Sequence, residues 1–279
     1  MRAHPFSRLR SRGDLTRIAV LTFLGVLTFI PFISTIIISF KSVPQFNHQP
    51  FLPTFPLHFR NYVVAFNSTY LYILNSVYVS AVAVALTLIV ACASAYAFAR
   101  FDFPLKQPLY MAFIGLLMIP PLLSLVTRFI MIRNLGMINT HWALIAPFVS
   151  GGQVFMIFVA KTFFETLPED LFESARLDGA SEMRILWNIA LPMSRPIIWT
   201  LAVLNVQSNW NNILWPLITL SDRSKFPVSV GLLYFQGQYV ADRGPMMAGY
   251  IIASIPMMVL FTVASRQFVE GMSSGALKL

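Results

Sequence analysis

The sequence predicts an all-α, polytopic membrane protein, and three observations carry that reading. Hydrophobic residues make up 57% of the 279-residue chain and charged residues only 11%, too little polar surface to cover a soluble globule of that size. The apolar residues gather into stretches long enough to cross a hydrocarbon core about 30 Å thick, which takes roughly 20 residues per helix. All eleven acidic residues fall outside those stretches, as the cost of a charge in lipid requires.

Six stretches meet the length requirement, over residues 18–40, 71–99, 109–127, 142–160, 197–220 and 245–264. Pro31, Pro120, Pro121, Pro147, Pro216 and Pro256 lie in them or at their ends. Inside a bundle, neighbouring groups re-satisfy the carbonyls that a proline frees, so kinks are expected and the count stands. The chain then divides into an N-terminal arm (1–17), a six-span transmembrane domain (18–264) that contains a loop at 161–196, and a C-terminal tail (265–279).

Orientation follows from the basic residues, which are retained on the cytoplasmic side. With the N-terminus inside, thirteen of the twenty fall inside, among them Arg8, Arg10, Arg12, Arg100, Lys161, Arg176 and Arg195. Seven fall outside, including Lys41, Arg128, Arg223 and Lys225. Both termini are therefore expected in the cytoplasm. A cleaved signal peptide would place small residues after a short apolar core, whereas the first stretch is long and ends in Ser39-Phe40-Lys41. The net charge of +9 follows from this topology and requires no nucleic acid.

Cys92 is the only cysteine, so no disulfide forms within the chain. His4, His48, His58 and His141 are scattered over loops without the spacing of a metal site, and no cofactor is expected. The sequence has no phosphate-binding Gly-x-x-x-x-Gly-Lys-Ser/Thr, no Gly-x-Ser-x-Gly and no His-Glu-x-x-His, so it is not read as an enzyme. Acid-free spans also lack the carboxylate relay expected of an ion-driven secondary transporter.

The loop at 161–196 stands apart because it holds six of the eleven acids: Glu165, Glu169, Asp170, Glu173, Asp178 and Glu182. Pro168 suits a helix start, and the acids after it complement the positive end of the helix dipole. Leu171 and Ala175 share a face with Phe172 beside them, and Gly179 closes the helix in a left-handed conformation. Ser181 caps a second helix, whose Met183, Leu186, Trp187 and Ala190 form an apolar stripe that ends at Leu191-Pro192. The product is a short amphipathic hairpin. Periodicity alone leaves two uses open, one lying on the membrane surface and one docking a partner in water.

The run Glu173-Ser174-Ala175, three residues, Gly179, nine residues and Ile189-Ala190-Leu191-Pro192 resembles the EAA loop of the membrane subunits of ATP-binding-cassette importers. Ser174 stands where alanine is usual. Further stretches resemble the maltose-type branch of carbohydrate-uptake permeases: Leu74-Asn75-Ser76, Ala95 to Arg100, Leu135 to Thr140, Trp210-Asn211 with Leu214-Trp215-Pro216-Leu217, and Arg266 to Gly271. The resemblance implies a second homologous six-span permease subunit, two copies of a cytoplasmic ATPase and an extracytoplasmic solute-binding protein, all working in membrane lipid. It implies that Glu173 is the polar contact with the ATPase, Phe172 and Ala175 the packing face and Gly179 the turn, with Ser174, Asp178 and Ala180 completing the coupling segment. A sugar or oligosaccharide is the implied cargo, a polyol or glycerophosphate-type solute the alternative. A membrane scaffold that binds the ATPase without moving solute is a more distant reading.

In the fifth stretch, Asn205, Ser208, Asn209 and Asn212 recur at i, i+3, i+4 and i+7, which aligns them on one helical face. Gln207 and Asn211 fall on roughly the opposite side. Interhelical hydrogen bonds in membranes average only about 0.6 kcal/mol, a weak reason to keep six polar residues there. The Asn205–Asn212 face is therefore expected to line the translocation path, with Trp210 and Trp215 packed beside it.

Overall fold

The computed structural model describes residues 12–276, with side chains from 16 to 265. Residues 1–11 of the expected arm, residues 277–279 of the tail, and the side chains of the Arg266–Gly271 pattern lie outside the described residues. No strand occurs among those described. Four helices are long and apolar enough to cross a membrane, and two bent helix pairs raise the number of crossings to as many as six.

Helix α1 (Arg12–Ser39) matches the first expected span and continues into the short α2 (Val43–His48), which Ser42 and Gln45 cap reciprocally. Helix α3 (Arg60–Arg100) runs 41 residues, about 60 Å at 1.5 Å per residue, and so extends well past the expected 71–99. Helix α6 (Trp142–Phe164) carries Pro147 without a break. Helix α13 (Arg243–Ala276) contains the last expected span and Pro256.

The third and fifth spans depart from straight helices. The third is α4 (Lys106–Gly115) and α5 (Leu125–Asn134), joined through two 3-10 turns and bent by 93°. The cause is Pro120-Pro121: two adjacent residues donate no N–H, and Pro120 forces Ile119 into an extended conformation (φ −84°, ψ 114°). The fifth span is α10 (Arg195–Trp210), about 24 Å long, followed after a break at residues 211–213 by α11 (Leu214–Thr219). A further helix, α12 (Val228–Gln238), occupies what the hydropathy pattern left as a loop.

The described residues form two compact units, one within 12–68 and 235–252, the other within 69–234 and 253–276. In the first, Lys41 is only 1% exposed, and its ammonium donates to the carbonyls of Gln49 (2.7 Å) and Leu52 (2.6 Å) and to the Thr54 hydroxyl (3.1 Å). That arrangement ties the loop after α2 to the end of α1. Asn61 holds the Ser39 and Lys41 carbonyls, each at 2.9 Å. Gly244 is required beside them, because a Cβ there would meet the Lys41 carbonyl at 2.3 Å.

In the second unit the core has two centres. One joins the C-terminal half of α3, the end of α6, the 161–196 loop and α10, around Tyr96, Phe164, Phe172, Ile185 and Leu201. The other joins the middle of α3, the start of α6 and the α11 segment, around Val79, Leu144, Trp215 and Val230.

A clamped hairpin as the candidate coupling site

The 161–196 loop folds as the expected hairpin. Helix α7 (Glu169–Leu177) has Pro168 at its N-cap and Glu169 and Asp170 in its first turn. Gly179 takes φ +78°, a conformation that costs a side-chain-bearing residue strain. The Ser181 hydroxyl then accepts the Arg184 N–H (3.4 Å) and starts α8 (Glu182–Ile185). Here the helix does not stop where the Leu191-Pro192 signal places it. A π-helical turn over Leu186–Ala190 leads into α9 (Leu191–Met193), which contains Pro192. Widening the turn just before a proline relieves the clash its ring would make with the preceding turn. The run 182–193 meets α10 at 83°.

The hairpin is not free. Arg100, at the C-terminal end of α3, donates to the carbonyls of Phe164 (2.6 Å) and Leu167 (2.8 Å) and to the Glu169 carboxylate. Its guanidinium also lies 4.0 Å from the centre of the Phe172 ring, a cation–π contact. Tyr96, one turn back on α3, donates to Glu182 (2.6 Å), and the other oxygen of that carboxylate takes the Arg176 Nε–H (2.8 Å). Arg176 closes the chain by reaching Glu169 at 3.3 Å. Five side chains thus bind both hairpin helices to one helix end. Burial pushes the Glu182 carboxyl up, but the hydrogen bonds from Arg176 and Tyr96 more than offset it and hold the group below its ordinary value. The hydrogen bond with Glu182 in turn raises Arg176.

The clamp turns the Phe172 ring inward: Phe172 is fully buried, and Ala175 is partly buried against the same core. Ala180 is drawn in as well. The exposed residues of α7 include Asp170, Glu173, Ser174 and Leu177, spaced at i, i+3, i+4 and i+7, together with Glu169 and Leu171, and Asp178 and Gly179 are exposed at the turn. Leu177 is 89% exposed. It went unremarked in the sequence because it falls off the apolar stripe, which was itself the signal.

The fifth-span residues are rearranged too. Helix α10 ends at Trp210, so Asn212 leaves the predicted face and instead accepts the Trp215 N–H (3.2 Å) at the start of α11. Asn205 and Asn209 are each 8% exposed and bond to one another (3.0 Å). A Cβ on Gly152 of α6 would strike the Asn205 amide at 2.5 Å, so that glycine admits the asparagine. Trp210 is buried against Val228 and Ala253. Trp215 is buried and donates to the Ala143 carbonyl (2.8 Å). Of the six polar residues, Gln207, Ser208 and Asn211 are exposed.

The chain is a bundle of apolar helices that holds a charged hairpin between its fourth and fifth spans. The comparisons agree, and the chain belongs to the family of binding-protein-dependent transport system inner membrane components, whose profile matches residues 83–274. It is 32% identical over 250 residues to the probable ABC transporter permease protein YurM of Bacillus subtilis, covering 89% of this chain and 83% of the relative. To the diacetylchitobiose uptake system permease protein NgcG of Streptomyces coelicolor it is 30% identical, covering 93% and 87%. Its fold matches a chain in the crystal structure of a bacterial ABC transporter involved in the import of the acidic polysaccharide alginate, with a TM-score of 0.80 at 20% identity, covering 93% of this chain and 99% of that one. This protein is accordingly a multi-pass inner-membrane permease of a binding-protein-dependent importer. Such a permease works with a permease partner, an ATPase and a binding protein.

Proposed function

We propose that this chain forms half of a translocation path for a sugar or oligosaccharide, paired with one homologous six-span subunit and driven by two copies of a cytoplasmic ATPase. Both termini and the hairpin face the cytoplasm, and the binding protein delivers solute from the other side. The observation that carries the coupling role is the division of α7 into a clamped face and an exposed face that includes Leu177. A clamped hairpin moves as a rigid body, so closure of the ATPase changes which docking geometry is favoured and rocks the attached helices. Hydrolysis belongs to the ATPase, and this chain performs no chemistry of its own.

Glu173, Ser174, Leu177 and Asp178 make the contact, Gly179 sets the turn, and Phe172, Ala175 and Ala180 transmit force into the core. Ser208, with Gln207 and Asn211, offers polar groups to the path, while the Asn205–Asn209 pair and Trp210 hold the shape of its wall. The oligosaccharide named for the Streptomyces relative supports carbohydrate cargo over a polyol or glycerophosphate-type solute.

Uptake of labelled oligosaccharides by the reconstituted importer tests this reading. Glu173→Lys, which reverses the exposed charge, is expected to abolish uptake while leaving the chain inserted. Full uptake with normal stimulation of the ATPase would overturn the coupling role. Uptake indifferent to ATP depletion would revive the ion-driven alternative.

A further inference from the structure

An open apolar cleft of about 560 Å³ lies between α3 and the elbow where the hairpin turns into α10. Its lining includes the buried Cys92 and Leu186, together with Ile89, Ile198 and the half-exposed rings of Trp187 and Trp199. Along α3 it extends from Ala93 to Ala85, about 12 Å at 1.5 Å per residue. Arg195 is the one charged side chain in its lining. That side chain is exposed and makes no hydrogen bond or ion pair among the described residues.

These features have one chemistry in common. The cleft runs lengthwise along a membrane-spanning helix, as an acyl chain does. Tryptophans collect at the headgroup level of a bilayer, and Arg195 opens α10 two residues before the apolar stretch at 197–220. A cation beside an apolar cleft at that depth complements a phosphate that carries a hydrocarbon tail, and basic pockets between helices on the cytoplasmic side take anionic headgroups. We propose that this cleft seats an anionic phospholipid, one acyl chain lying along α3 and the phosphate on Arg195. The lipid would wedge the elbow between hairpin and α10, so it would act on the joint through which the hairpin drives the span. The inference rests on the proposed placement of Arg195 and the hairpin at the cytoplasmic membrane boundary.

Tryptophan quenching in nanodiscs tests the proposal on the full-length chain. Dibrominated phosphatidylglycerol and dibrominated phosphatidylcholine are compared, and the cleft signal is the part absent from a Trp187→Phe/Trp199→Phe variant. Phosphatidylglycerol is expected to occupy the cleft about fivefold more readily than phosphatidylcholine, the effect of one basic residue near an anionic headgroup. Arg195→Gln should erase that preference and Arg195→Lys retain it. Ala93→Phe, which fills the cleft, should remove the cleft signal in both lipids with helicity unchanged. Equal quenching by the two lipids, or a preference that survives in Arg195→Gln, would overturn the proposal. So would a photo-crosslinking residue at position 183 that, in the assembled importer, captures the partner permease or the ATPase in place of lipid. Failure of the coupling reading would show in uptake and leave this lipid preference intact.

Discussion

The two ends of the second unit are fastened by different chemistry. At the hairpin end, Arg100, Glu169, Arg176, Glu182 and Tyr96 form a linked network in which four of five members are ionised. At the other end, some 20 residues back along α3 and so about 30 Å away, the ties are mainly between neutral side chains and backbone. Asn75 donates to the carbonyls of Ser224 (2.8 Å) and Phe226 (3.0 Å), and the Ser76 hydroxyl accepts the Val228 N–H (2.7 Å). Asn139, at φ +61°, accepts from the Ser221 and Asp222 N–H groups (3.1 and 2.9 Å). Lys225 is the one charged tie among these, pairing with Asp222 at 3.3 Å and donating to the Asn139 carbonyl at 2.9 Å. Neutral ties fix a loop in place whatever the ionic conditions. The ionised clamp makes the hairpin rigid but leaves its grip dependent on charge.

Arg100→Met should break this contrast most severely. It removes a donor whose side chain is only 6% exposed, takes from the Leu167 carbonyl the side-chain donor it has in the fold, and leaves the Phe164 carbonyl with only the Leu167 N–H, at a cost of about 2 kcal/mol. The ion pair with the half-exposed Glu169 adds little to that. Hydrogen exchange should rise across 164–190 and stay unchanged at 221–228. Asn75→Ala is expected to do the reverse, freeing residues 224–228 at about 2 kcal/mol with the hairpin protected as before, and the loss should not vary with salt.

Tyr96→Phe is a gentler probe, costing about 1 kcal/mol, because Arg176 still holds Glu182. Acid sharpens the same comparison. Since Glu182 is held below its ordinary value in the fold, its contribution is complete above the ordinary carboxylate range and is lost as pH falls through the lowered folded value. Exchange in the hairpin should therefore accelerate in acid, while the amides tied by Asn75 keep their protection. Equal acceleration at both ends would remove the distinction.

Much of this was legible in the sequence. Span existence followed from hydropathy, and the hairpin's turn from Gly179 and its cap from Ser181. The broken third span was signalled by Pro120-Pro121, but only as a kink, because hydropathy records how many apolar residues there are and not the backbone donors that are missing. The clamp was not legible. Arg100 and Glu169 are separated by 69 positions and Tyr96 and Glu182 by 86, and no local periodicity links residues that meet only after the chain folds. The same separation hid the inward face of α7. The ring of Phe172 packs against Tyr96 and Arg100. The fifth-span pattern failed for a local reason, since a helical period was extended through Asn211 and Asn212, which instead end one helix and start the next.

The measurement that bears most directly on the account is thiol labelling of Leu177→Cys in a Cys92→Ala background, with a membrane-impermeant maleimide. Labelling is expected in inside-out vesicles stripped of ATPase, none in intact cells, and protection when the ATPase is added back. Labelling from outside intact cells, or reactivity that the ATPase leaves unchanged, would contradict the claim that the exposed face of the clamped hairpin is the coupling surface.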